Sequence, residues 1–322
     1  MNHYPAYAAG RLDPQAAELL DRIALEPGRP LSSVTVEEAR AGFLRPAWLG
    51  APREVESVRD VVVPGPGGSL RLRACLPRGG GRPLPVLVFF HGGGFVLGRL
   101  DEFDAFCTRL GDGAGCLVVS VDYRLAPEHR FPAAAEDAVA ALRWVTSNAR
   151  ELGGDPSRIA LAGDSAGANL ALVAALANRD AGGPALARLV LLSPWVDLTC
   201  TETESFRLFG QGRWLSAESL RWYRDQYLPS PEDARLPNAS PLLARDLGNL
   251  PPTLVLTAEF DVLRDQAEAL SDRLVAAGND VRKRFGAGML HDFVILPGLF
   301  DRASTAADDV CAELRLALGA GS

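Results

Sequence analysis

The sequence predicts an α/β protein with a mostly parallel sheet that is flanked by helices. Short apolar runs alternate with longer segments of helical periodicity, and the central runs are apolar throughout. Hydrophobic residues make up 48% of the 322 positions and charged residues 23%, which is ordinary for a globular chain with a large core. We therefore expect central strands that are covered by helices on both faces.

Eight segments have the character of strands. The first two are separated by Pro-Gly-Pro-Gly-Gly and should form an antiparallel hairpin at the sheet edge, whereas the last alternates as an exposed strand does. Such an exposed edge favours a homodimer formed edge to edge. In chain order the segments are 57–63, 69–76, 85–90, 116–122, 158–163, 187–193, 253–258 and 281–285.

Helical patterns fill the spaces between these strands. One runs from residue 133 to the glycine pair at 153–154, and two others cover 265–278 and 304–319. Two segments fall outside this alternation: residues 1–50, with a helix over 34–44 that Ser32 and Ser33 would cap, and an aromatic-rich insertion at about 200–236. We expect them to pack together as a helical cap over a core domain that spans residues 51–322.

Composition excludes several classes of function. A net charge of −7, without a basic aromatic cluster, argues against nucleic-acid binding. No apolar run approaches the roughly 20 residues of a membrane-spanning helix, and the N-terminus lacks the pattern of a secretory signal, so stable membrane association is not expected. The five cysteines are scattered without a C-x-x-C pair, which predicts neither disulfides nor a zinc site but a cytoplasmic protein.

The pentapeptide Gly-Asp-Ser-Ala-Gly at 163–167 matches G-x-S-x-G, the pattern of a nucleophile on a sharp turn between a strand and a helix. The flanking residues must be small because larger side chains would collide with the strand and the helix. Ala166 begins the helix, so its N–H should point to the same place as the hydroxyl of Ser165. The competing interpretation is a simple helix N-cap, because Asp164 and Ser165 are both good capping residues.

A run of three glycines follows the third predicted strand, in the sequence His-Gly-Gly-Gly-Phe. Backbone N–H groups without side chains around them can bind a developing oxyanion. A phosphate loop is the alternative, but neither a Lys-Ser/Thr pair nor G-x-G-x-x-G spacing supports it. His91 is expected to stabilise the turn. The candidate oxyanion donors are Gly92, Gly93, Gly94 and Ala166, of which Gly93, Gly94 and Ala166 are favoured.

Chain order selects the remaining catalytic candidates. In hydrolases of this pattern the acid and then the histidine follow the serine, and His291 alone of the four histidines (His3, His91, His129 and His291) does so. The strand at 253–258 ends in AEFDVLRDQ. Asp261 lies on the expected turn and is the predicted acid, Glu259 is the reserve, and Asp265 falls within the following helix.

These motifs resemble those of the hormone-sensitive-lipase-like (bacterial family IV) carboxylesterases of the α/β-hydrolase superfamily. The resemblance extends from about residue 55 to the C-terminus, through PVLVFFHGGGFVLG, LAGDSAGANLA, AEFDVLRD and GMLHDF. It implies an eight-stranded sheet, a helical cap, no cofactor and a catalytic triad of Ser165, Asp261 and His291.

The expected reaction is hydrolysis of a small ester with a short to medium acyl chain, through an acyl-enzyme. Because the histidine must be neutral to accept a proton, the rate should fall on acidification through roughly pH 6–7. Amides, carbamates or lactones are alternative substrates of the same residues, and a non-catalytic receptor, which would lack His291, is disfavoured. The candidate pocket residues are Phe95, Trp195, Phe206, Phe209 and Trp214.

Overall fold

Eight strands form one sheet in the residues that the computed structural model describes, namely 12–26, 28–43, 46–211 and 214–319. Their order across the sheet is β1-β2-β4-β3-β5-β6-β7-β8; β2 is antiparallel to both of its neighbours and all pairs from β4 to β8 are parallel. The strands are β1 (Ser57–Gly65), β2 (Gly68–Leu76), β3 (Leu84–Phe90), β4 (Leu117–Asp122), β5 (Gly154–Asp164), β6 (Arg188–Leu192), β7 (Thr253–Phe260) and β8 (Val281–Leu290). The predicted α/β fold, its edge hairpin and its exposed last strand are confirmed.

The helices occupy the connections between strands and the two segments outside the alternating pattern. They are α1 (Pro14–Leu25), α2 (Val36–Ala41), α3 (Pro46–Leu49), α4 (Leu100–Ala114), α5 (Ala133–Asn148), α6 (Ala166–Asp180), α7 (Glu204–Phe209), α8 (Ala217–Tyr227), α9 (Arg264–Ala276) and α10 (Asp301–Leu318). Short 3₁₀ turns lie at 31–33, 149–152, 231–235, 241–243 and 293–295. Of the helices described, none is both long and apolar enough to cross a membrane.

The central strands are apolar on both faces because each face covers a separate core. In β3, Val86, Val88 and Phe90 belong to one core, whereas Leu87 and Phe89 belong to the other. Adjacent side chains of a strand point to opposite faces, so a strand inside such a sheet is mostly apolar on both faces. The continuous apolar runs in the sequence follow directly from this burial.

The start of the second helix differs from the prediction. Ser32 and Ser33 lie in a 3₁₀ turn, and the N-cap of α2 is Thr35. The hydroxyl of Thr35 accepts the N–H of Glu38 at 3.1 Å, while the Glu38 carboxylate accepts the N–H of Thr35 at 2.8 Å. This reciprocal capping box satisfies two N–H groups of the first turn, which neither Ser32 nor Ser33 could do from its position. Of the two expected cap segments, residues 1–11 (including His3), 27, 44–45 and 212–213 lie outside the described residues, so the end of the helix predicted over 34–44 does too.

Candidate active site

The turn after β5 presents Ser165 at the carboxyl end of the sheet. Its backbone is left-handed (φ 51°, ψ −116°), and its side chain forms no capping hydrogen bond although it precedes α6. A Cβ added to Gly163 would lie 2.3 Å from the carbonyl carbon of Gly167, and one added to Gly167 would lie 2.0 Å from the oxygen of Phe90. Both glycines are therefore required by close approach of the backbone. The turn begins a helix, as an N-cap would, but the hydroxyl is free to point elsewhere.

The hydroxyl of Ser165 points to His291. Its Oγ lies 3.0 Å from Nε2 of His291, and Nδ1 of the same ring lies 2.7 Å from Oδ2 of Asp261. All three side chains are buried. Serine, histidine and aspartate thus form a continuous hydrogen-bonded chain, the arrangement that lets an imidazole accept a proton from a hydroxyl while a carboxylate fixes its orientation.

The other acid candidates near Asp261 have different partners. Glu259 accepts the N–H of Gly288 at 2.9 Å, and Asp265 accepts the N–H of Ser205 at 2.6 Å. Asp261 itself is held by the N–H of Leu263, which donates to Oδ1 at 2.8 Å. Among the three, the structure brings Asp261 to the histidine.

The glycine loop after β3 corrects one of the predicted oxyanion donors. The N–H of Gly92 donates to Oδ1 of Asp164 at 2.9 Å, so Gly92 has no proton left for a ligand. Within the described chain, no hydrogen bond uses the N–H of Gly93, Gly94 or Ala166. Gly92 instead lets the loop approach the elbow, because a Cβ there would lie 2.2 Å from Oδ2 of Asp164.

His91 supports this loop and is not part of the hydrogen-bonded chain. Its Nδ1 lies 2.8 Å from the carbonyl oxygen of Gly92, and its ring stacks on Tyr123 with centroids 4.3 Å apart. Burial lowers the pKa of His91 to about 4. A neutral, stacked imidazole is a packing element, as expected from the sequence.

Arg40 of α2 connects the N-terminal segment to the same loop. Its guanidinium donates to the carbonyl oxygens of Val96 and Ala126, both at 2.9 Å, and forms a double hydrogen bond with Glu128 at 2.7 and 2.8 Å. The hydrogen bonds from Arg40, with a smaller contribution from its charge, lower the pKa of Glu128. The N-terminal segment therefore contributes directly to the support of the glycine loop.

A cavity of about 1460 Å³ opens beside the histidine. Of the five predicted pocket residues, Phe206 and Trp214 line it. The other three do not: Phe95 stacks on Tyr227 with centroids 4.0 Å apart, Trp195 is buried beside Phe95, and Phe209 packs against Phe260. The apolar lining that the sequence does not reveal includes Leu19, Ile23, Leu31, Phe43, Trp48, Leu97, Leu215, Tyr223, Ile295 and Leu296.

Trp214 does more than line the cavity. Its Nε1–H donates to the carbonyl oxygen of His291 at 2.7 Å, and its ring lies 6.0 Å from that of Trp48. The insertion thus holds the backbone of the histidine, and Trp48 of the N-terminal segment packs against the same indole.

A second carboxylate also contacts the histidine. Oδ2 of Asp292 lies 3.0 Å from Nε2 of His291. Burial lowers the pKa of His291, but the charges of Asp261 and Asp292 outweigh this effect and hold that pKa well above its ordinary value. The sequence does not reveal this contact, because the adjacency of Asp292 to His291 says nothing about where its side chain turns.

Comparison with known proteins identifies the family. A family model described as alpha/beta hydrolase fold matches residues 87–295. The chain is 42% identical to the carboxylic ester hydrolase LipN of Mycobacterium tuberculosis, over 83% of this chain and 72% of that protein, and 35% identical to an ethyl acetate hydrolase of Pseudomonas putida, over 91% and 95%.

Solved structures agree with these relatives. An ester-hydrolase from the metagenome of Lake Arreo superposes with a TM-score of 0.91 at 37% identity, covering 96% of this chain and 99% of that one. An esterase of Pyrobaculum calidifontis superposes with a TM-score of 0.87 at 39% identity, covering 95% and 99%. The chain therefore belongs to the hormone-sensitive-lipase-like family of the α/β-hydrolase superfamily.

Proposed function

We propose that this protein is a carboxylesterase that hydrolyses esters of short to medium acyl chains through Ser165, His291 and Asp261. The observation that carries the proposal is the continuous contact from hydroxyl to imidazole to carboxylate, at 3.0 and 2.7 Å. The relatives named above are ester hydrolases, and their similarity covers 83% to 96% of this chain. They support the same class of reaction.

In the proposed mechanism His291 accepts the proton of Ser165 as its oxygen attacks the ester carbonyl. Asp261 holds the ring with Nδ1–H toward its carboxylate, so that Nε2 faces the serine. The N–H groups of Gly93, Gly94 and Ala166 bind the oxyanion, and the N-terminus of α6 adds a favourable field. Nε2–H then protonates the leaving alcohol, and water activated by the same nitrogen releases the acid from Ser165.

The cavity supports substrates of moderate size. Its apolar side chains come from helices α1, α3, α7 and α8, from the loops beside them, from the glycine loop and from the segment after His291. We propose that residues 1–50 and about 200–236 form the cap, because residues of both described parts line this cavity together with His291. A soluble butyrate or hexanoate ester should react faster than an emulsified long-chain triglyceride, and the reverse order would contradict the proposed substrate class.

Labelling with an organophosphonate tests the proposed nucleophile. The intact mass should increase by one adduct, and peptide mapping should place it on Ser165. Labelling should be absent in Ser165→Ala and slowed in His291→Ala. Ser271→Ala is the matched control, because Ser271 is also buried but bonds to its own helix at Ala267. An adduct that persists in Ser165→Ala would overturn the proposal.

Three further properties belong to this proposal. A matched ester and amide pair should be cleaved with strong preference for the ester. The exposed edge of β8 supports a homodimer, which sedimentation at increasing concentration would detect. The described cysteines are all free thiols, which supports a reducing, cytoplasmic location that fractionation of cells can test.

A further inference from the structure

Asp292 turns back onto the histidine that precedes it. Its backbone is left-handed, with φ 56° and ψ 20°, which is uncommon for any residue other than glycine. This conformation places Oδ2 of Asp292 3.0 Å from Nε2 of His291. The same Nε2 lies 3.0 Å from Oγ of Ser165. One ring nitrogen therefore has two oxygen neighbours at hydrogen-bond distance.

Counting protons shows that Nε2 cannot serve both oxygens in the reactive state. With Nδ1–H donated to Asp261, a neutral ring has a lone pair on Nε2 that can accept the proton of Ser165. An ionised Asp292 would then place its carboxylate oxygen against that lone pair. Both are hydrogen-bond acceptors, so this contact is unfavourable. A proton between Nε2 and Oδ2 removes the conflict, whichever atom carries it. With this contact formed, the pair of His291 and Asp292 therefore carries one proton more than it does in the state in which Ser165 attacks.

The surroundings of Asp292 favour retention of this proton. Its side chain is 15% exposed, and its Oδ1 is buried without a hydrogen-bond partner in the described chain. The titratable groups that face the pair are Asp164 at the end of β5, Asp261 after β7 and Tyr223 of α8. None of these is a cation, and in the described ranges no lysine or arginine forms an ion pair with Asp292.

The electrostatic environment of the pair agrees with this geometry. Burial raises the pKa of Asp292, the attraction of His291 opposes this rise, and the charge of Asp261 adds to it, so that the pKa lies above its ordinary value. The pKa of His291 is also raised, as described above. Because the two groups interact closely, the proton belongs to the pair rather than to either residue.

We propose that Asp292 is a positioning residue that shares a proton with Nε2 of His291. While this proton is shared, Nε2 cannot accept the proton of Ser165, and it becomes able to do so when the shared proton is released to water. Asp292 thereby sets the pH at which hydrolysis begins. The inference rests on the proposed function, because it requires Ser165 and His291 to react as described. The proton departs into the cavity, which both His291 and Asp292 line.

Two substitutions remove the carboxylate without forcing the backbone to change. Asp292→Asn keeps the shape of the side chain, and asparagine tolerates the left-handed conformation. Asp292→Gly removes the side chain and is unstrained at positive φ. Agreement between the two variants separates loss of the carboxylate from loss of a particular shape. Asp265→Asn is the matched control, because Asp265 is a half-buried aspartate four positions after Asp261 that contacts Ser205 instead of His291.

The test is the pH profile of kcat/KM for a soluble butyrate ester between pH 5 and 9.5 at constant ionic strength. In both Asp292 variants the midpoint of the acid limb should fall by about one pH unit or more, the size expected for removal of an adjacent charge. The control should superpose on the wild-type profile. Unchanged midpoints in both Asp292 variants, or an equal shift in the control, would overturn the inference.

A second measurement follows the proton directly. Nitrogen-15 labelling of the four histidines in Ser165→Ala allows His291 to be titrated by NMR without turnover. Adding Asp292→Asn should lower its midpoint by a similar amount, and an unchanged midpoint would contradict the shared proton. Failure of the proposed function is distinguishable, since it would appear as full esterase activity in Ser165→Ala whatever the profiles of the Asp292 variants.

Discussion

Trp214→Phe should slow catalysis by loosening His291. The substitution removes the Nε1–H that donates to the carbonyl oxygen of His291 at 2.7 Å, but it keeps an aromatic ring against Trp48 and the cavity. A neutral hydrogen bond between partly buried groups contributes about 1 kcal/mol. If all of this free energy maintains the reactive position of the imidazole, kcat should fall by about fivefold.

The assay is steady-state hydrolysis of a soluble butyrate ester, with kcat and KM determined separately. Because Trp214 acts on the position of the base, the loss should appear in kcat, with little change in KM. Trp222→Phe is the control: Trp222 belongs to the same insertion, and its ring packs on Tyr223. A loss confined to KM, or an equal loss of kcat in the control, would refute the reasoning.

Other substitutions test separate parts of the site. Asp261→Asn should lower kcat by about 10⁴-fold, as in serine protease triads, because the amide favours the wrong tautomer of His291; circular dichroism should find the fold intact. Gly167→Ala should prevent or severely destabilise folding, because the new Cβ would lie 2.0 Å from the oxygen of Phe90, and thermal unfolding measures the loss. Arg40→Met should reduce the free energy of unfolding by about 1–2 kcal/mol and also reduce kcat, because the guanidinium supports the glycine loop.

Each of these has a result that would contradict it. An Asp261→Asn enzyme with more than a tenth of the wild-type kcat would remove the carboxylate from the mechanism. A Gly167→Ala protein of normal stability would mean that the elbow can open without cost. An Arg40→Met protein that loses stability but keeps its kcat would limit Arg40 to a structural role.

The sheet and the hydrogen-bonded chain were predictable because local sequence carries their physical requirements. Strands covered on both faces are mostly apolar, and the elbow must have glycine where an added Cβ would lie within 2.3 Å of backbone atoms. The position of His291 followed from chain order and from the small number of histidines. These are constraints on single segments, so a single segment reveals them.

Predictions were wrong, or were not made, where a feature depends on contacts between residues that are distant in the sequence. Gly92 stayed among the candidate donors, although Gly93 was favoured, because the sequence alone cannot place Asp164, 72 positions later, on its N–H. Phe95 was expected in the pocket, but its backbone at φ 65° turns the ring beneath the loop and onto Tyr227. The acid limb at pH 6–7 is the expectation for an ordinary histidine; because two carboxylates raise the pKa of His291, we expect the limb at higher pH.

The bond from Trp214 to His291 has a consequence for enzyme engineering. Grafting the insertion of a relative onto this scaffold is an obvious way to change which esters fit the cavity. A graft chosen for pocket shape alone would also discard the indole donor that holds the histidine backbone. Chimeras should therefore keep a tryptophan at position 214, or supply another donor at that place, if a new substrate range is to be gained without loss of turnover.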